Sequence, residues 1–266
     1  MTTETAQKLE AFFATLSRSE RSLLLLDYDG TLAPFCTDRF KARPWEGVRE
    51  LLSRIQVERR TRIAIISGRP AREPAELLDL KPSPEIWGLH GAERLHADGR
   101  RELEQLPAKT RFRLDTLRER LKRDSFGALY EEKPNAVVMH WRGVSRDKAE
   151  EIEARASALF EPLAGIDGLS LLKFEAGMEL RAGRDKGDAV RSILEEISGG
   201  KPVSFPVAFL GDDITDELAF RAVNALPTAH LTALVRGECR NSAADLWLRP
   251  PGELLGFLQS WLTAVN

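Results

Sequence analysis

The chain has 266 residues, 42% of them hydrophobic and 30% charged, with 39 Lys and Arg against 41 Asp and Glu. That length supports one large domain or two modest ones, with a core that needs no disulfide or metal staple. Near-balanced charge excludes the broad basic field of a nucleic-acid or anionic-membrane binder, and the two cysteines, Cys36 and Cys239, lack metal-ligand spacing. No apolar run approaches a membrane span and the first residues show no basic-then-apolar leader pattern, so a cytoplasmic, soluble monomer is expected.

Leu23 to Leu26 is a continuous apolar run ending at Asp27, as expected of a strand buried on both faces. Val48, Leu51, Leu52 and Ile55 follow at helical spacing. Arg62 to Ile66 predicts a second buried strand ending at Ser67-Gly68-Arg69, then a short helix from Pro70 to Asp79. Ile86 to Leu89 predicts a third strand ending at His90-Gly91. The character changes near Pro107. An amphipathic helix is expected over Arg111 to Arg123, strands over Ala128 to Glu132 and Ala136 to His140, a helix over Asp147 to Phe160, and paired strands over Leu169 to Phe174 and Gly177 to Arg181. After Arg184 the first pattern returns. A helix is expected over Lys186 to Ile197, a buried strand over Val207 to Leu210 ending at Gly211-Asp212-Asp213, a helix over Thr215 to Val223, a strand over His230 to Val235 and a closing helix over Glu253 to Ala264. The fold class is therefore α/β. A Rossmann-like parallel-sheet core (residues 1–107 and 185–266) carries an inserted α+β cap (108–184), where helices pack on an antiparallel sheet.

The polar clusters at 27–31, 67–69, 90–93 and 211–216 all fall at the carboxyl ends of predicted core strands, where open parallel sheets bind ligands. Asp27-Tyr28-Asp29-Gly30-Thr31 and Gly211-Asp212-Asp213-Ile214-Thr215-Asp216 crowd acids at buried strand ends, and crowding of this kind demands a cation. Hard oxygen ligands suit Mg²⁺, held by Asp27, the backbone carbonyl of Asp29, and Asp212. Phosphoryl transfer needs a nucleophile, charge neutralisation and a proton for the leaving alkoxide. Asp27 can attack phosphorus and form an aspartyl-phosphate, and Asp29 can serve as acid and then base. Ser67 can hydrogen-bond the phosphoryl group and Lys186 can offset its charge. Asp213 and Asp216 are open between water-mediated ligation and orientation of Lys186. His90 and Gly91 sit at the predicted mouth. Glu93 reads equally as a sugar-hydroxyl acceptor or a surface acid.

These elements, in this order, resemble the haloacid dehalogenase-like phosphatases: Asp-x-Asp-Gly-Thr, then Ser, a downstream Lys, and Gly-Asp-Asp-x-x-Asp. Within that group, Ser67-Gly68-Arg69, Gly88 to Glu93 and Gly211 to Glu217 are similar to the trehalose-6-phosphate phosphatases. So are Glu131-Glu132-Lys133, His140-Trp141-Arg142 and Glu179 in the insert. The resemblance implies Mg²⁺-dependent hydrolysis of trehalose 6-phosphate. Arg69 would join Ser67 and Lys186 on phosphate, and Glu131, Lys133, Arg142 and Glu179 would contact the distal sugar. One position departs from the pattern. The family places a lysine shortly before the cap glutamate, but counting back from Glu179 meets Glu175; Lys173, nearby, would take that place through a shifted strand. The core motifs also fit a phosphatase for another sugar phosphate, such as sucrose or glucosylglycerol phosphate. Intact Asp27, Asp29, Lys186 and Asp212 speak against a relative that binds without turnover.

Overall fold

The structure, a computed structural model, describes residues 3–36, 38–124, 129–141, 143–174 and 177–266. The chain divides into two compact units, residues 1–102 with 184–266, and residues 103–183; sequence analysis draws these boundaries at 107/108 and 184/185.

The first unit is built on an eight-stranded sheet. Its strands are β1 (Ser22–Leu26), β2 (Thr61–Ile66), β3 (Glu85–Gly88), β4 (Glu93–Leu95), β5 (Arg101–Leu103), β10 (Val207–Gly211), β11 (His230–Val235) and β12 (Leu246–Leu248). They lie in the order β12-β11-β10-β1-β2-β3-β4-β5, parallel from β12 to β3, with β4 antiparallel to β3. Its helices are α1 (Thr3–Arg18), α2 (Val48–Val57), α3 (Arg72–Leu78), α6 (Lys186–Ser198), α7 (Glu217–Asn224) and α8 (Gly252–Val265). The four leucines of β1 need to be apolar because both sheet faces are covered. Leu24 and Leu26 pack with Phe12, Leu16, Leu52 and Trp261 from α1, α2 and α8, while Leu23 and Leu25 pack with Val190, Ile193 and Phe220 from α6 and α7. Trp261 also donates its Nε1 proton to Thr61 Oγ1 at 3.0 Å, so a buried indole meets its polar demand on β2. Helix α1 and the three-residue strands β4, β5 and β12 are additions to the sequence-based reading. The helix expected from Thr215 begins as a 3₁₀ turn, Ile214–Asp216, before α7.

The second unit holds a four-stranded antiparallel sheet, β6 (Tyr130–Lys133), β7 (Ala136–His140), β8 (Leu169–Phe174) and β9 (Gly177–Ala182), in the order β6-β7-β9-β8. Helices α4 (Ala108–Arg123) and α5 (Arg146–Phe160) cover one face. Leu114, Leu117, Leu121, Ile152 and Phe160 pack there on Val137, Met139, Met178 and Leu180, alternate residues of their strands.

Candidate active site

Strands β1 and β10 are neighbours with Leu26 beside Leu210, so the acids that follow each strand meet. Asp27 donates its backbone N–H to the Leu210 carbonyl at 2.8 Å. The carboxylates of Asp27, Asp212 and Asp216 lie within 4.8 Å of one another, all buried. Lys186, the first residue of α6, donates from Nζ to Asp27 Oδ1 at 2.6 Å and to Asp216 Oδ1 at 2.7 Å. Its helix start is fixed by a capping box between Asp185 and Asp188, which holds the lysine at one depth. Thr31 Oγ1 donates to the other Asp27 oxygen at 3.1 Å. Asp216 spends its second oxygen on the backbone N–H groups of Asp212 and Asp213, at 3.0 Å each. Of the two acids that sequence alone leaves open, Asp216 is the one hydrogen-bonded to Lys186. Asp216 orients Lys186 and closes the loop, whereas Asp213 accepts from the Ile214 N–H at 2.7 Å and is partly exposed.

Three buried carboxylates face one ammonium. Burial, with the Asp216 charge, pushes the Asp27 carboxyl up to about 7 against the pull of Lys186. Burial, then the charges of Asp27 and Asp216, also raises Asp212 well above the carboxylate range. Burial disfavours the charged form of Lys186, but Asp216 and Asp27 outweigh it and hold the ammonium protonated. The Asp212 carboxylate takes no hydrogen bond from any described residue. An oxygen-only, doubly acidic pocket with one uncommitted carboxylate fits a divalent cation such as Mg²⁺.

Around this cluster, Asp29 turns away: both its oxygens are engaged by Arg69 at 2.6 Å. Ser67, at the end of β2, accepts the Arg69 N–H on Oγ at 3.2 Å. His90 is buried against the same turn; a Cβ on Gly68 would lie 2.7 Å from its Nε2. Gly91, at φ +105°, packs on the first turn of α6, where a Cβ would meet Ala189 Cβ at 2.8 Å. Glu93 is neither a rim acceptor nor a surface acid. It is buried, accepts the Ala71 N–H at 2.7 Å and pairs with Arg101, tying β4 to the start of α3.

In the second unit, register puts Glu131, Val138, Glu179 and Leu172 on one face, joined by Lys133, His140 and Arg181 at the same parity. This is the face opposite the helices. Lys133 donates to Glu179 Oε1 at 3.0 Å, and His140 Nε2 lies 3.3 Å from Glu131 Oε2. The register of β8 on β9 is regular, so Lys173 pairs with Met178 and falls on the helix face, where it donates to Glu161 at 2.8 Å. No shifted strand brings it to Glu179. Arg142 and Glu175 lie outside the described residues.

The family model described as trehalose-phosphatase matches residues 25–246 of this sequence. The chain belongs to the trehalose-phosphatase family. It is 30% identical over 264 residues to the trehalose-phosphate phosphatase of Mycobacterium marinum, a match covering 92% of this chain and 63% of that protein. It is 33% identical over 258 residues to the bifunctional trehalose-6-phosphate synthase/phosphatase of Thermoproteus tenax, covering 92% of this chain and 34% of that protein. The chain thus spans less than two thirds of the length of these relatives. In fold it is similar to the C-terminal domain of the C. albicans trehalose-6-phosphate phosphatase, with a TM-score of 0.78, 21% identity and 96% of each chain covered. As a member of the trehalose-phosphatase family, the chain carries its acid cluster at the carboxyl ends of β1 and β10. Two features of this family member escaped the sequence reading. Arg181 shares the Glu179 face, is 9% exposed, and has a buried Nη1 with no described hydrogen-bond partner; its spacing of two from Glu179 on a strand was the available signal. The engagement of Arg69 by Asp29 has no local signature, since the two are 40 positions apart.

Proposed function

We propose that this chain hydrolyses trehalose 6-phosphate to trehalose and phosphate, in the cytoplasm, with Mg²⁺ as cofactor. One observation carries the reading: a nucleophile-competent Asp27 sits between a buried ammonium and a second carboxylate with no described hydrogen bond. Asp27, the Asp29 carbonyl and Asp212 would hold the ion, which when bound supplies charge neutralisation for the phosphoryl oxygens. Asp27 attacks phosphorus and forms an aspartyl-phosphate as the bond to the sugar oxygen breaks, and Asp29 gives that oxygen its proton. Asp29 then takes a proton from water, which attacks phosphorus and releases Asp27. Ser67, whose Oγ accepts from backbone, directs its own proton to a phosphoryl oxygen. Lys186 stabilises the charge on the transferring group. The polar sheet face bearing Glu131, Lys133 and Glu179 selects the sugar, with Arg142 expected to contribute.

The test is phosphate release with Mg²⁺ from trehalose 6-phosphate, sucrose 6-phosphate, glucosylglycerol phosphate and glucose 6-phosphate. The expected result is a kcat/KM for trehalose 6-phosphate at least about tenfold above the others. Asp27→Asn is expected to lower turnover by a factor of about 10³ or more. Release no faster than from glucose 6-phosphate would remove the substrate, and an active Asp27→Asn protein would remove the mechanism.

A further inference from the structure

The Arg69 guanidinium is committed within the first unit. Its Nε and Nη2 donate to the two oxygens of Asp29, both at 2.6 Å. Its Nη1 donates to the Arg39 carbonyl at 2.6 Å and to Glu73 Oε2 at 3.3 Å. Four of the five N–H groups of a guanidinium are thereby directed at protein. Glu73, in the first turn of α3, is gripped in turn by the Arg39 guanidinium. There Nη2 lies 2.9 Å from both carboxylate oxygens and Nε 3.1 Å from one. The Arg69 and Glu73 side chains are only 10% and 19% exposed. The result is an alternating row, carboxylate, guanidinium, carboxylate, guanidinium, that ends on Asp29. Bidentate Arg–carboxylate pairs fix direction as well as charge.

We propose that Arg69, backed by Glu73 and Arg39, is a positioning unit for Asp29 and not a ligand of the substrate phosphate. The proposal rests on the phosphatase reading, in which Asp29 first gives a proton to the leaving oxygen and later takes one from water. Phosphate binding would need a free edge of the guanidinium, and only one Nη2 hydrogen is left for it. The row instead holds the ionised Asp29 carboxylate, the form present after its proton has gone to the leaving oxygen and before one is taken from water. Glu73 and Arg39, which carry no motif, become part of the machinery through Arg69.

The two proton transfers separate by leaving group. A sugar alkoxide needs the proton from Asp29, whereas 4-nitrophenolate departs without it; breakdown of the aspartyl-phosphate needs Asp29 as base in both cases. Stopped-flow and steady-state kinetics of Glu73→Gln and Arg69→Lys, with Mg²⁺, therefore decide the matter. For Glu73→Gln, kcat on trehalose 6-phosphate is expected to fall about tenfold with KM within about twofold. With 4-nitrophenyl phosphate, a burst of one nitrophenolate per site should keep the wild-type rate and be followed by turnover about tenfold slower. Arg69→Lys, which cannot form the fork, should show the same pattern more strongly. A KM raised about tenfold or more for both substrates at unchanged kcat would overturn the proposal in favour of phosphate binding. Wild-type kinetics in Glu73→Gln would also overturn it, as would burst and turnover falling together with the melting temperature. A wild-type protein that hydrolyses 4-nitrophenyl phosphate but not trehalose 6-phosphate would overturn the substrate reading alone, and the burst experiment would still decide the role of Arg69.

Discussion

A methyl group on Gly30 would collide with the Asp212 carboxylate and lie 2.9 Å from the Phe35 ring. The backbone there is at φ +78°, a region that strains any residue with a Cβ. Glycine after the second aspartate is thus the gap through which an acid 182 positions later, just past the end of β10, reaches the first loop. The loop is otherwise rigid: the Tyr28 carbonyl accepts the N–H groups of Leu32 and Ala33 at 2.9 and 3.0 Å, and the Tyr28 hydroxyl donates to the Ala42 carbonyl at 2.7 Å. With no slack, Gly30→Ala is expected to displace Asp212 rather than the loop. Stability should fall by about 1–3 kcal/mol, and Mg²⁺ affinity, measured by calorimetric titration, by about tenfold or more. Wild-type affinity in this variant would contradict the packing argument.

Strand parity decides which lysine of the second unit can serve the polar sheet face. Lys133 lies two residues from Glu131 and donates diagonally over β7 to Glu179, whereas Lys173 sits opposite Met178 on the helix face and pairs with Glu161. A charged hydrogen bond to a sugar hydroxyl is worth about 1.5–3 kcal/mol. Lys133→Ala is therefore expected to raise KM for trehalose 6-phosphate about tenfold or more while leaving 4-nitrophenyl phosphate within about twofold. Lys173→Ala should leave both unchanged, because its partner Glu161 is an exposed acid and such pairs contribute little. Steady-state kinetics on the two variants check this, and a Lys173→Ala effect equal to that of Lys133→Ala would refute the register.

The whole core bears the electrostatic cost of its site. Asp27 and Asp212 titrate upward because they are buried together at the ends of β1 and β10. A carboxyl raised from 3.8 to about 7 keeps a proton in the folded chain that the unfolded chain has lost. The stability it contributes is complete below the unfolded value and disappears as pH climbs through about 7. A divalent cation binds the ionised form, so it compensates most where that loss is complete. Thermal melts with Mg²⁺ and with a chelator should show a larger Mg²⁺-induced rise in Tm at pH 8 than at pH 5.5; an equal rise at both would disprove the link.

Much of this was legible without coordinates. Buried parallel strands require unbroken apolar runs, so Leu23 to Leu26 and Val207 to Leu210 announced themselves, and with them the carboxyl ends where the acids cluster. The strand-like stretches of β7, β8 and β9 were legible too. Helix α1 was not, because only Phe12 and Leu16 of its sixteen residues are buried, and three-residue strands are too short to show a period. Only tertiary structure decided the partnerships: Asp216 with Lys186, Glu93 with the start of α3, Arg69 with Asp29, Lys173 with the helix face. The physical reason is range. Burial writes a periodicity into each element's own residues, whereas an ion pair such as Lys186–Asp27 joins positions 159 apart and exists only once the strand ends are side by side.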